Sequence, residues 1–208
     1  MRGEPFRCPW SDAAPDYRAY HDLEWGRPRT GDAELLERLC LEGFQAGLSW
    51  LTILRKRDAF RRAFHGFELA KVARFGERDV ARLLSDAAIV RSRPKIEAAI
   101  ANARAALRLA GSGRPLAPLI WSFAPKPRRA PRSLSELPAA TPGSTALAKE
   151  LRRLGFRFVG PTTAYALFQA VGVVNDHLER CHVRREVQQE QLDARRRLTS
   201  ARGAPGAP

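Results

Sequence analysis

The chain has three cysteines, an odd number, so no disulfide framework is expected. No stretch approaches the ~18 consecutive apolar residues that span a bilayer. The N-terminus lacks the apolar core of a signal peptide. These absences exclude a disulfide-stapled secreted scaffold and a membrane-spanning protein, and the expected location is cytoplasmic. Sustained two-residue alternation is missing too, which removes the main signal for half-buried strands. No internal repeat is visible. Lysine is scarce: 31 of the 36 basic residues are arginine.

Positive charge, by contrast, is abundant. The 208 residues carry 36 Lys+Arg against 22 Asp+Glu, a net charge of +14. The segment from His182 onward holds six Arg and three acids, so +11 remains in residues 1–181. A basic folded body points to a polyanion, most simply nucleic acid. An Arg-rich, Ala-rich composition without that meaning is the alternative. The length allows a real core in one domain.

Residues 1–29 are rich in aromatics, Pro and Gly and read as irregular structure around short helices. From Asp32, a plausible cap, Leu35, Leu36, Leu39 and Cys40 fall on one helical face. Gly43 and Gly47 are expected to end that helix, and Ser49 to about Phe64 to form the next. Further helices are predicted over 79–84 and over 94–109, the latter with Pro94 near its start. Residues 111–142 hold seven prolines and the run Lys126-Pro-Arg-Arg-Ala-Pro-Arg132, which reads as a surface loop or linker. Helical spacing returns at about Ser144, pauses at 155–160 and resumes from Pro161 to about Val171. Beyond Cys181, residues 186–197 are polar and suit a frayed helix, while 201–208 read as disordered. The expected class is all-α.

Three groups of residues could carry chemistry. Between two helices lies Gly155-Phe-Arg-Phe-Val-Gly160, followed by Pro161, Thr162 and Thr163. Its glycines allow a tight hairpin, and the amides opening the second helix could hold a phosphate. An ordinary helix connector would look the same. Next, His177 and Cys181 are spaced i,i+4, so on a helix they would share one side, and Cys8 with His21 adds the same two ligand types. Together they would make a Cys₂His₂ tetrahedron of the kind that holds structural Zn²⁺. Residues without a metal are the alternative. A catalytic zinc deaminase is excluded, because its His-x-Glu and Pro-Cys-x-x-Cys elements are absent. Cys40 reads as core, and His65 as a helix-end residue.

The third group is aromatic. Trp10, Tyr17, Tyr20 and Trp25 crowd into sixteen residues, with Trp50 beyond. Aromatic residues often belong to a core, but this concentration in an irregular, polar segment fits a pocket wall. Glu42 sits in the apolar stretch Cys40–Trp50, and an unpaired buried carboxylate is costly. A flat base flipped out of DNA needs stacking surfaces and a few polar groups. A cationic base would also be favoured by aromatic faces and a carboxylate.

Cys8-Pro-Trp10, Tyr20-His-Asp-Leu-Glu-Trp-Gly26, Leu41-Glu-Gly-Phe-Gln-Ala-Gly-Leu-Ser-Trp50, Gly155–Gly160 and Asn175-Asp-His177 together resemble the DNA-3-methyladenine glycosylase I family, in order and in spacing. The resemblance spans about Arg7 to Cys181. It implies a helix-hairpin-helix glycosylase fold, with the hairpin element at about 144–171, and a structural zinc tying the N- and C-terminal segments. The implied activity is hydrolytic removal of 3-methyladenine from alkylated double-stranded DNA. Glu42 and Tyr20 would hydrogen-bond the base, Trp50 would stack on it, and Trp10, Tyr17 and Trp25 would shape the pocket. Cys8, His21, His177 and Cys181 match the zinc ligands. Gly155, Val159, Gly160, Thr162 and Thr163 match the DNA anchor. Asp176 lies near the place where many related glycosylases keep a catalytic Asp, but the resemblance gives it no catalytic role here.

The expected organisation is therefore a glycosylase domain over 1–181 and a basic, flexible tail over 182–208, acting as a monomer without a lyase step. A non-catalytic hairpin module that holds damaged DNA is the rival from another class. A glycosylase shifted toward 3-methylguanine is a third reading.

Overall fold

The computed structural model describes residues 4–126 and 128–203, with the side chains of 201–203 excepted. The expected disorder of 201–208 thus falls largely outside the described residues. Among the described residues ten α-helices run in chain order: α1 Pro15–Leu23, α2 Asp32–Gln45, α3 Trp50–Ala63, α4 Leu69–Val72, α5 Glu77–Ser85, α6 Arg93–Gly111, α7 Leu116–Trp121, α8 Pro142–Arg153, α9 Pro161–Ala170 and α10 Arg184–Gly203. Short 3₁₀ turns occupy Pro9–Ala13, His65–Phe67 and Leu134–Glu136. No strand occurs among the described residues, and no helix is long and apolar enough to cross a membrane.

Helix α2 lies at the centre, packed against α3, α6 and α9. Its buried face includes Leu35, Leu36, Leu39 and Cys40, as their spacing predicts. Phe44 continues into a ring cluster in which Phe44 and Phe60 lie 4.6 Å apart and Phe64 stacks on Phe67 at 5.2 Å. Each such fully buried side chain contributes about 1.5–3 kcal/mol relative to exposure. Helix α6 presents Ala98, Ala99, Ala103, Ala105 and Ala106 to the core. Side chains this small let neighbouring backbones come close.

Several local expectations need correction. Asp32 is the first residue of α2 and not its cap, which is Gly31. The Asp32 carboxylate instead accepts a hydrogen bond from the Leu116 amide at 3.0 Å, joining the starts of α2 and α7. Gly43 lies inside α2, where a Cβ would stand 3.5 Å from Phe158 Cβ of the hairpin. The turn belongs to Gly47 (φ +82°), after which Ser49 caps α3 by accepting from the Thr52 amide. The proline-rich stretch contains α7, with Leu116, Ile120 and Trp121 buried.

The expectation of a flexible tail also fails over the described part of 182–208. Helix α10 packs on the body through Val187, Gln191 and Ala194, whose spacing of four and three residues places them on one face. The buried Gln191 amide donates to Gly26 O at 2.7 Å and to Val174 O at 3.1 Å. Gly172 (φ +77°) completes this junction. A Cβ there would meet Gly26 O at 2.6 Å and Pro28 N at 2.7 Å, so only glycine lets the two backbone segments cross.

Candidate base pocket and metal centre

A cavity of about 250 Å³ opens between α1, α2, the start of α3 and α9. Trp10, Tyr17, Tyr20, Trp25 and Trp50 line it, so all five aromatic residues named from the sequence meet in one place. Trp10 lies 4.8 Å from Tyr17 and 5.0 Å from Trp25, and Tyr20 lies 5.5 Å from Trp50. Glu42 joins them from α2. The remaining lining residues are Gln45, Leu137, Ala166 and Gln169.

Glu42 is buried and makes no hydrogen bond or ion pair among the described residues. Burial pushes its pKa up to about 8, against the opposing pull of Arg38. The Tyr20 hydroxyl is pushed up as well, chiefly by burial. The Trp50 indole N–H is buried without a partner. The cavity therefore offers aromatic faces, an unsatisfied acid and an unsatisfied donor, all costly unless something binds there.

Arg38 is 4% exposed, a surprising place for an arginine, and sequence pattern alone does not reveal it. Its guanidinium lies 5.7 Å from the Tyr20 ring centre and donates to Glu24 at 2.6 Å. Arg57 adds two bonds to the same carboxylate. Burial would raise the Glu24 pKa, but Arg57 and Arg38 outweigh it and hold it at about 2. Glu24 is thus the fixed anion of the neighbourhood, whereas Glu42 is the one free to change.

Asp176 does not line the cavity. It is buried and accepts hydrogen bonds from Tyr165 Oη (2.6 Å), Gln169 Nε2 (2.8 Å) and Arg128 (2.7 Å). It reaches the cavity only through Gln169.

Cys8, His21, His177 and Cys181 converge beside the aromatic wall, all buried, with their ligand atoms within 4.8 Å of one another. The separations include 3.2 Å (His177 Nδ1 to His21 Nε2) and 3.5 Å (Cys181 Sγ to each of these nitrogens). Cys8 Sγ lies 3.8 Å from His177 Nδ1. Bonds of ~2.0–2.3 Å to one ion give tetrahedral edges of about this length. The outer nitrogens are also occupied: His21 Nδ1 bonds Asp22 at 2.7 Å, and His177 Nε2 donates to Trp25 O at 3.0 Å. That fixes both rings with the other nitrogen toward the centre. The Cys181 thiol is held low, mainly by Cys8, while Cys181 and burial push Cys8 up. A divalent cation would let both ionise. The group could therefore hold a metal ion.

One detail differs from the sequence reading. His177 and Cys181 are not on a helix; they lie in the irregular segment between α9 and α10. His182 is not part of the set, and its ring bonds Phe6 O. The cluster also supports the pocket, since Trp10 packs on His21 at 5.2 Å and Trp25 on His177 at 4.7 Å.

The hairpin joins α8 and α9. Gly155 leaves α8 at φ +93°, Phe158 takes φ +54°, Val159 is buried and Gly160 caps α9. Thr162 and Thr163 fall in the first turn of α9. The buried Asn102 side chain holds the tip, donating to Arg157 O at 3.2 Å and accepting from Arg157 N at 2.7 Å.

Known proteins share this sequence pattern and fold. The methyladenine glycosylase family matches residues 10–185. DNA-3-methyladenine glycosylase 1 of Escherichia coli is 49% identical over 178 residues, covering 84% of this chain and 95% of its own. The DNA-3-methyladenine glycosylase of Haemophilus influenzae is 42% identical over 178 residues, covering 84% and 96%. A crystal structure of 3-methyladenine DNA glycosylase I superposes with a TM-score of 0.82 at 47% identity, covering 85% of this chain and 98% of its own. The Staphylococcus aureus enzyme, studied for 3-methyladenine recognition, gives 0.81 at 33% identity, covering 86% and 96%. From its pocket, its hairpin and these relatives, the chain belongs to the methyladenine glycosylase family.

Proposed function

We propose that this protein is a DNA-3-methyladenine glycosylase that hydrolyses the N-glycosidic bond of 3-methyladenine in alkylated double-stranded DNA, the first step of base excision repair. The observation that carries this reading is Glu42: a buried carboxyl without a partner, inside a cavity walled by five aromatic residues. A module that only gripped distorted DNA would have no use for that group.

Methylation at N3 leaves the adenine positively charged while it is still joined to the sugar. The bond from N9 to C1′ then breaks with its electron pair going to the base, which leaves neutral. Water adds to the oxocarbenium-like C1′ and releases a proton. Because the leaving group is already activated, the protein's work is selection and stabilisation. Trp50 stacks on the flipped base, Trp10, Tyr17 and Trp25 confine it, and Glu42 and Tyr20 hydrogen-bond it. Ionised Glu42 favours the cation over neutral adenine, in a site shielded from water where such a charge acts strongly. None of the lining residues is a lysine, which agrees with a monofunctional hydrolase.

The amides and hydroxyls of Gly155, Val159, Gly160, Thr162 and Thr163 would hold the DNA backbone at the start of α9. The +14 net charge would make that binding steeply salt-dependent. The ion in the Cys₂His₂ set would be zinc, in a structural role: its ligands join the N-terminal segment to the segment before α10. We assign the working form as a monomer.

The test is release of methylated bases from alkylated DNA, followed by mass spectrometry. The wild-type protein should release 3-methyladenine, and Glu42→Gln with Trp50→Ala should lower that release strongly. Unchanged release from both variants would overturn the reading.

A further inference from the structure

Gln169 is the polar lining residue that no motif singles out. Its Nε2 donates to the Asp176 carboxylate at 2.8 Å, and Asp176 also accepts from Tyr165 and Arg128. Reversing the amide would set its oxygen against that carboxylate, so the orientation is fixed. The side-chain oxygen Oε1 is left without a hydrogen-bond partner among the described residues, and the residue itself lines the cavity.

We propose that Gln169 is a specificity-determining residue, held by Asp176 so that its side-chain carbonyl accepts from the exocyclic amino group of a methylated adenine and opposes the O6 of a methylated guanine. This rests on the reading of the cavity as a base pocket.

The glycosidic nitrogen must stay at the pocket mouth, joined to DNA, so the far edge of the purine enters first. On adenine that edge carries an amino group with two hydrogens, which suits two acceptors. Glu42, from α2, and Gln169, from α9, can supply them. On guanine the same position is an oxygen with nothing to donate. Glu42 cannot reject that oxygen alone, because a carboxyl whose pKa stands near 8 can hold a proton and donate it. An amide locked by a carboxylate cannot change roles. Asp176 thereby gains a task that needs no contact with the sugar or the attacking water. It is a positioning residue, and Gln169 is the group that meets the base.

The experiment measures single-turnover release of 3-methyladenine and 3-methylguanine from the same methylated DNA by mass spectrometry. Gln169→Met keeps the length and removes the acceptor, and it should narrow the ratio of the two rates by roughly tenfold or more. Asp176→Asn, which lets the amide reverse, should narrow it in the same direction. Tyr165→Phe removes a different donor to Asp176 and should leave the ratio as in the wild type. If Gln169→Met slows both bases equally, the residue is only a packing element and the proposal is overturned. If Gln169→Met does not fold, a wild-type ratio in Asp176→Asn overturns the proposal in the same way. Failure of the wild-type protein to release 3-methyladenine at all would instead overturn the pocket reading itself.

Discussion

Arg38 precedes Glu42 by one turn of α2, and its buried guanidinium opposes the rise that burial imposes on the Glu42 carboxyl. The pair sets the pH at which the empty pocket becomes charged. Below about pH 8 Glu42 holds its proton in the empty pocket, and on the proposed reading a cationic base displaces it. Release of 3-methyladenine under subsaturating conditions should therefore rise with pH and level off above about pH 8. Replacing Arg38 with Met should move that limb to higher pH, and Glu42→Gln should abolish it. A pH–rate profile for the three proteins checks this.

The same shift predicts a stability effect of definite sign. Glu42 titrates near its ordinary 4.5 when unfolded and near 8 when folded, so the native state binds more protons between those values. Its contribution is complete below about pH 4.5 and is lost as pH rises through about 8. Over that window the ligand-free protein should lose on the order of a few kcal/mol that Glu42→Gln retains. Urea denaturation at pH 5 and pH 8.5 would reveal the difference.

Asn102 makes both of its bonds to the backbone of Arg157 in the hairpin. Asn102→Ala should cost about 1 kcal/mol of stability, because it removes two part-buried hydrogen bonds to the hairpin backbone. DNA affinity should fall, while binding of free 3-methyladenine to the pocket should change little. Filter binding and calorimetry, run side by side, separate the two.

Removing metal from the Cys₂His₂ set should loosen the wall it supports. After chelator treatment we expect a lower melting temperature and weaker Trp-dependent base binding, with recovery when Zn²⁺ is restored. Metal analysis should find about one ion per chain. Finding none, with melting unaffected by chelator, would remove the site.

Gln191 tests whether α10 is integral. Truncating it to Ala deletes bonds to Gly26 O and Val174 O, and should destabilise the protein by about 1–3 kcal/mol. A stability equal to the wild type in urea denaturation would show that these two bonds do not hold the helix in place.

The sequence made some elements easy to read and hid others for physical reasons. Helices α2, α3, α8 and α9 were legible because their apolar residues recur with helical spacing, and Ser49 and Pro161 mark the starts of α3 and α9. Helix α7 was hidden by the prolines around it; the helix at 186–197 was legible, but its packing on the body was not, because its buried face is built from one Val, one Gln and one Ala. The four side chains that could hold a metal were legible by type, but the loop that carries two of them was not. Aromatic crowding revealed the pocket wall. Leu137, Ala166 and Gln169 are ordinary residues that only the fold brings there, and a buried arginine such as Arg38 reads as surface.

The crossing of Gly172 over residues 26–28 has a consequence for synthesis. The wall formed by Trp10 and Trp25 rests on side chains from the segment that ends at Cys181. Contacts between such distant parts of a chain form late. While the protein is still on the ribosome, α2 and α3 can pair, but the pocket cannot close until nearly the whole chain has emerged. An incompletely made chain is therefore unable to bind a base.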